Sequence, residues 1–347
     1  HIVYYFHSLA DPYSHLTSQV LENFINKYNI ELKILFVSEP NNIFTPERKM
    51  FDDYCLRDAT ELAKYYGLKF DNVDQISESN ILSAYKILNY YCFHKKISQI
   101  EFIKLLKEIS SYLWSNQTNK LNQIISNFDE QEKVFFNIQE NTLLEDGNKK
   151  LADFDYYFGS SFHYEGENYW GIDRLHHLED RLNELNLNRK KSHSYIISHK
   201  DINNNDLENI DFSQINLKLE FFPSLNSPYT YLSFKRIRAI FEKYPIKFEV
   251  RPVLPMLMRN MKIPPIKGKY ILSDAAREGR KNGVIIKNIY SPIGKPAEKA
   301  YSLFPKINEK GFGFDYLEKL MVSSFYYGQN IGEDKYLEKT VSDFGLS

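Results

Sequence analysis

The chain contains itself twice. A stretch beginning LADPYSHLTS at Leu9 is echoed by LNSPYTYLSF at Leu225, an offset of 216 residues. The same offset relates Phe6 to Phe222, Ser8 to Ser224, Pro12 to Pro228, Tyr13 to Tyr229 and Leu16 to Leu232. It continues without a gap through Lys27/Lys243, Tyr28/Tyr244, Tyr54/Tyr270, Asp58/Asp274 and Gly67/Gly283, and returns at Ser126/Ser342 and Phe128/Phe344. One register held this long predicts tandem duplication of a whole domain, not a stack of short repeats.

Either copy gives the same local reading. Ile2 to Phe6 and Leu217 to Phe222 are rich in aromatic and branched residues, as strands are. Pro12 and Pro228 suit the first position of a helix. Leu16, Val20, Phe24 and Tyr28 then place an apolar stripe on one helical face. Leu32 to Val37 and Phe248 to Val253 read as the next strands, giving a βαβ unit with a parallel pair. From about Pro46 to Lys150 the first copy is helical, after which FGSSFHYEGENYWG reads as two strands turning at Gly166 and IDRLHHLEDRLNEL as a helix. Domains are predicted at 1–187 and 216–347, with a polar linker at 188–215 in which SYIIS has strand character. The offset sets Ser347 opposite Gln131, so the second copy stops about 56 residues before the first copy's end at Leu187. Its closing β-β-α unit is expected either in a longer chain or from another chain.

Composition narrows the function classes. The formal net charge is −1, from 44 basic and 45 acidic side chains, with no basic stripe. That argues against nucleic-acid binding. No apolar run reaches the roughly 18 residues of a membrane span. With 2 cysteines and no Cys-x-x-Cys, a disulfide framework is excluded and a reducing, cytoplasmic setting is expected. A cleaved leader ahead of His1 stays an open alternative.

NSPYTYL, RPVLPM, PPIKGKY and SDAAREGRKNGV, in that order in the second copy, with YWGIDRLHHLE closing the first, resemble the thioredoxin-like DsbA family. The likeness is to its glutathione-using branch, which holds 2-hydroxychromene-2-carboxylate isomerases and kappa-class glutathione transferases. The resemblance implies an α/β fold of two tandem thioredoxin-like domains, each with a helical insertion. It also implies glutathione as cofactor, a small organic substrate, copies that pack on each other, and a homodimer as one possible assembly. Where DsbA carries Cys-x-x-Cys, the chain reads Asp11-Pro-Tyr-Ser14 and Ser227-Pro-Tyr-Thr230. Thiol–disulfide exchange needs a thiolate and a resolving sulfur, so an oxidoreductase of that kind is disfavoured.

A serine hydroxyl at a helix start can donate to an incoming sulfur, and the helix dipole favours an anion there. Ser227 is therefore the candidate catalytic residue, its plain alternative being an ordinary N-cap. The resemblance adds Pro228, Tyr229, Arg251, Asn260 and Lys267 as cofactor contacts. For Arg251 a structural ion pair, with Asp274 for instance, is an equal alternative. In the first copy Asp11 would repel a thiolate, so that site is expected to be degenerate; Ser14 and His15 offer at most a weak replacement. Ser161 stands where thioredoxin-like folds place a cis-proline. Asp173 and Arg174 match the branch's glutamyl-binding pair, but read better as a local salt bridge. His176, His177 and Glu179 lack metal-ligand spacing, and no metal is expected. Cys55 and Cys92 read as core residues. A non-catalytic binding or scaffold protein is the rival reading.

Overall fold

The computed structural model describes residues 1–71, 76–137, 142–190, 194–197 and 216–345. The chain divides into two compact units, His1–Asp201 and Ile202–Ser347. Most of the expected linker, and the end of SYIIS, lies outside the described residues.

Unit 1 is built on a four-stranded sheet of order β2-β1-β3-β4. Strand β1 (Ile2–His7) pairs in parallel with β2 (Glu31–Phe36) and antiparallel with β3 (Ser161–Tyr164), which pairs antiparallel with β4 (Glu167–Trp170). The connection from β1 to β2 runs through α1 (Pro12–Ser18) and α2 (Leu21–Lys27). Among the described residues six α-helices then intervene: α3 (Arg48–Tyr66), α4 (Glu78–Asn89), α5 (Gln99–Trp114), α6 (Thr118–Ser126), α7 (Glu130–Asn137) and α8 (Thr142–Asp153). After β4 a short 3₁₀ turn leads into α9 (Leu175–Glu184). A parallel βαβ half joined to a β-β-α half in this strand order is a mixed α/β, thioredoxin-like arrangement. The hairpin turns where expected, at Gly166, whose φ of +85° suits a residue without Cβ.

The single helix expected after Pro12 is broken in two. Gln19 and Val20 donate to Leu16 O and Thr17 O, three residues back, which tightens the turn and ends the α-ladder. Gln19 is fixed there because its side-chain amide both donates to Lys69 O and accepts from Lys69 N. The apolar stripe survives the break, with Leu16, Val20, Phe24 and Tyr28 all buried. Residues 194–197 form no strand; Ile196 N–H is taken instead by the buried carboxylate of Glu179, which also binds Lys27 Nζ at 2.7 Å and Tyr28 OH at 3.0 Å.

Unit 2 begins the same way. Strand β5 (Lys218–Phe221) pairs in parallel with β6 (Lys247–Val250), connected by α10 (Pro228–Lys243). Helices α11 (Pro265–Lys281), α12 (Lys295–Glu309), α13 (Gly313–Phe325) and α14 (Asp334–Asp343) follow. Each unit has its own apolar core, around Tyr5, Phe24 and Phe162 in the first and Phe234, Tyr316 and Leu320 in the second.

The register recurs at the sequence offset. Ile2 opposes Glu31, and 216 residues later Lys218 opposes Lys247. Tyr85 OH accepts from Leu9 N and donates to Val37 O, both at 3.3 Å. At the same offset Tyr301 OH accepts from Leu225 N at 2.9 Å and donates to Val253 O at 2.8 Å. Tyr13 OH donates to Asp58 at 2.8 Å, and Tyr229 OH to Asp274 at 2.7 Å. In each unit these bonds tie the strand–helix turn to two later helices, so the turn is fixed by the same distant partners.

Candidate functional site

Ser227 is the N-cap of α10, a helix of 16 residues, with extended backbone angles (φ −105°, ψ 114°). Its oxygen accepts from Thr230 N at 3.3 Å, one of the helix-start N–H groups that would otherwise lack a partner. The residue is half-buried, and its O–H donates to no other group among the described residues. Pro228 is buried at the first helical position, and the exposed Tyr229 reaches the buried Asp274 through its hydroxyl.

The expected cofactor contacts are distributed as follows. Arg251 is exposed just past β6 and pairs with Glu220 at 2.7 Å and Glu249 at 2.8 Å. The alternative pairing with Asp274 does not occur: that carboxylate lies inside α11, bonded by Tyr229 and facing Arg277 at 3.6 Å. Asn260 is exposed and closes a 3₁₀ turn in the left-handed region at φ +58°. Lys267 sits in the first turn of α11, and its ammonium pKa is pushed down because half-burial disfavours the charged form.

In unit 1 the corresponding cap is Asp11. Its carboxylate accepts from Tyr13 N at 3.2 Å, Ser14 N at 3.0 Å and Ser14 Oγ at 2.7 Å. Burial outweighs these bonds and raises its pKa from 3.8 to about 6. Ser161 opens β3 as expected and is buried, opposite Phe6 and Trp170, with its hydroxyl donating to Phe158 O. Asp173 and Arg174 form a local ion pair at 2.6 Å in the 3₁₀ turn. His15 is buried, its pKa pushed down to about 4 by desolvation, and its ring stacks on Trp114. Cys55 is buried with its thiol pushed up to about 12, whereas Cys92 is exposed in the π-helical turn Tyr90–Lys95, not part of the core.

A cavity of about 570 Å³ opens over Asp11. Its floor is the turn before α1, and α3, α4 and the end of α5 supply the walls together with Phe158 and Trp170. Three rings form a stacked row: Phe51 on Phe158 (5.7 Å, 6°) and Phe158 on Trp170 (4.7 Å, 19°). Arg48 binds Asp52 through Nε at 2.8 Å and Glu39 through Nη2. Sequence reasoning missed Arg48, Trp114 and Phe158, which lie far apart in the chain. The one available signal was that both tryptophans fall in unit 1.

No family model and no curated protein matches the chain. Among solved structures it is similar to a 2-hydroxychromene-2-carboxylate isomerase, at 16% identity and a TM-score of 0.40, over 53% of this chain and 96% of that one. It is also similar to the cytosolic disulfide reductase DsbM from Pseudomonas aeruginosa, at 11% identity and a TM-score of 0.36, over 53% of this chain and 100% of that one. A structure of DsbM with GSH gives 11% and 0.35, over 54% and 98%. These likenesses are distant, and the thioredoxin-like arrangement rests on the strand order and register above.

Proposed function

We propose that the chain is a tandem duplication of one DsbA-like domain and acts as a glutathione-dependent isomerase or transferase through its second unit. The observation that carries this reading is Ser227. Its oxygen is held by Thr230 N while its O–H remains available to donate, at the positive end of a 16-residue helix. No cysteine occupies either helix start, so this donor set suits a sulfur anion brought by a ligand. Glutathione bound there would supply a nucleophilic sulfur. Ser227 would hold that sulfur as a thiolate, and Lys267 would supply positive charge toward a carboxylate. In unit 1 the cap is a carboxylate instead, ionised at neutral pH even with its raised pKa, so Asp11 opposes a thiolate by charge and offers it no donor.

One observation favours the rival, a binding or scaffold role without catalysis. Arg251 is already engaged by Glu220 and Glu249, which leaves less positive charge for the carboxylates of glutathione. Calorimetry of glutathione with the wild-type chain and Ser227→Ala separates the two. The enzyme reading expects binding at millimolar glutathione or below and its loss in the variant. Binding that survives Ser227→Ala, or none at millimolar concentration, rejects it.

A further inference from the structure

We propose that the cavity over Asp11 in unit 1 is a binding site for a small organic cation with a flat aromatic body and a hydrogen-bond acceptor. Charge comes first. Asp11, Glu39, Asp52, Asp53 and Glu78 all line the cavity, against Arg48 as the lining guanidinium. Arg48 is consumed by Glu39 and Asp52, while Asp53 and Glu78 have no cationic partner among the described residues. The site therefore attracts cations and repels an anionic tripeptide such as glutathione.

The walls decide what kind of cation. The stacked row of Phe51, Phe158 and Trp170 offers flat apolar surface, and aromatic faces attract ammonium groups. A bare metal ion or a hydrated polyamine would leave those rings uncovered. A separate observation points to the acceptor: Trp114 is 4% exposed and belongs to the cavity wall, yet its indole Nε1–H has no hydrogen-bond partner among the described residues. Buried N–H donors are nearly always satisfied, and an oxygen on the occupant would satisfy this one. A volume of about 570 Å³ lies in the range of small-ligand sites.

The test uses the full chain and its intrinsic fluorescence, since both of its 2 tryptophans line this cavity and unit 2 contributes none. The probes are 4-methoxybenzylamine, which carries charge, ring and acceptor, 4-methoxybenzoate, which reverses the charge, and 4-methylbenzylamine, which removes the acceptor. Saturable change with 4-methoxybenzylamine is expected, with binding weaker by about ten-fold or more for the benzoate. Removing the acceptor should also weaken binding. The double variant Asp53→Asn/Glu78→Gln alters exposed residues; with its fold checked by far-UV circular dichroism, it should weaken the amine by about ten-fold. Ser227→Ala should change nothing in this titration, so its outcome is independent of glutathione binding in unit 2. The proposal is overturned if the benzoate binds as tightly as the amine, if the double variant binds it unchanged, or if no saturable change appears by 10 mM. Equal binding of the two amines overturns the role given to Trp114.

Discussion

Replacing Asp11 by Asn isolates the energetic consequence of a desolvated carboxylate at a helix start. The amide keeps the shape and one cap acceptor but cannot ionise. In the native chain the Asp11 pKa rises from 3.8 to about 6 because burial disfavours the charged form. Between those values the folded state holds a proton that the unfolded chain has released, so rising pH destabilises the native state across this window. A shift of about two units at about 1.4 kcal/mol each sets an upper limit near 3 kcal/mol, reduced by the side chain's partial exposure. His7 and His15, pushed down to about 3 and 4 by desolvation, act oppositely: below pH 6.5 the unfolded chain takes up protons they refuse, and stability falls with falling pH. Both histidines are present in wild type and variant, so subtraction leaves Asp11. Urea unfolding followed by tryptophan fluorescence reads unit 1 alone. Asp11→Asn should gain on wild type by about 1 to 2 kcal/mol between pH 4 and pH 7, since part of the shift lies below pH 4 and partial exposure screens the rest. An unchanged difference across that range would refute the account of Asp11 as a buried, poorly solvated acid.

Two other perturbations test the packing. Tyr85→Phe and Tyr301→Phe each remove the hydroxyl that bridges a buried leucine N–H to a valine carbonyl. Each should destabilise its own unit by about 1–3 kcal/mol, measured by urea unfolding with fluorescence for unit 1 and far-UV circular dichroism for unit 2. Gly279→Ala places a Cβ 2.3 Å from Val284 O and 3.0 Å from Leu232 Cδ2, and should cost unit 2 about 1–3 kcal/mol or more. A neutral effect in the same dichroism-monitored unfolding would contradict the close approach of α11 to the turn after it.

Local features were legible because they depend on neighbours in the chain. Pro12 and Pro228 start helices, Asp11 and Ser227 cap them, Gly166 turns the hairpin, and the first strands pair in parallel as expected, with β6 ending at Val250, three residues short of the expected Val253. The break at Gln19 was not legible, because the groups that hold its side chain belong to Lys69, 50 positions away. Nor was the choice of Glu220 and Glu249 over Asp274 as partners for Arg251, which depends on strands β5 and β6 lying side by side. Cys92 falls in an apolar-looking helical run, and only the π-helical turn carries it to the surface.

By itself the sequence carried the residue matches at an offset of 216 and the presence of a hydroxyl at one helix start and a carboxylate at the other, since both are properties of residue identity. Tertiary structure alone decided where open space lies and what lines it. A cavity is what packing leaves unfilled between Asp11, Arg48, Trp114 and Phe158, groups spread across some 150 positions of chain. No periodicity records such a meeting, because it depends on how helices from a long insertion settle over the sheet.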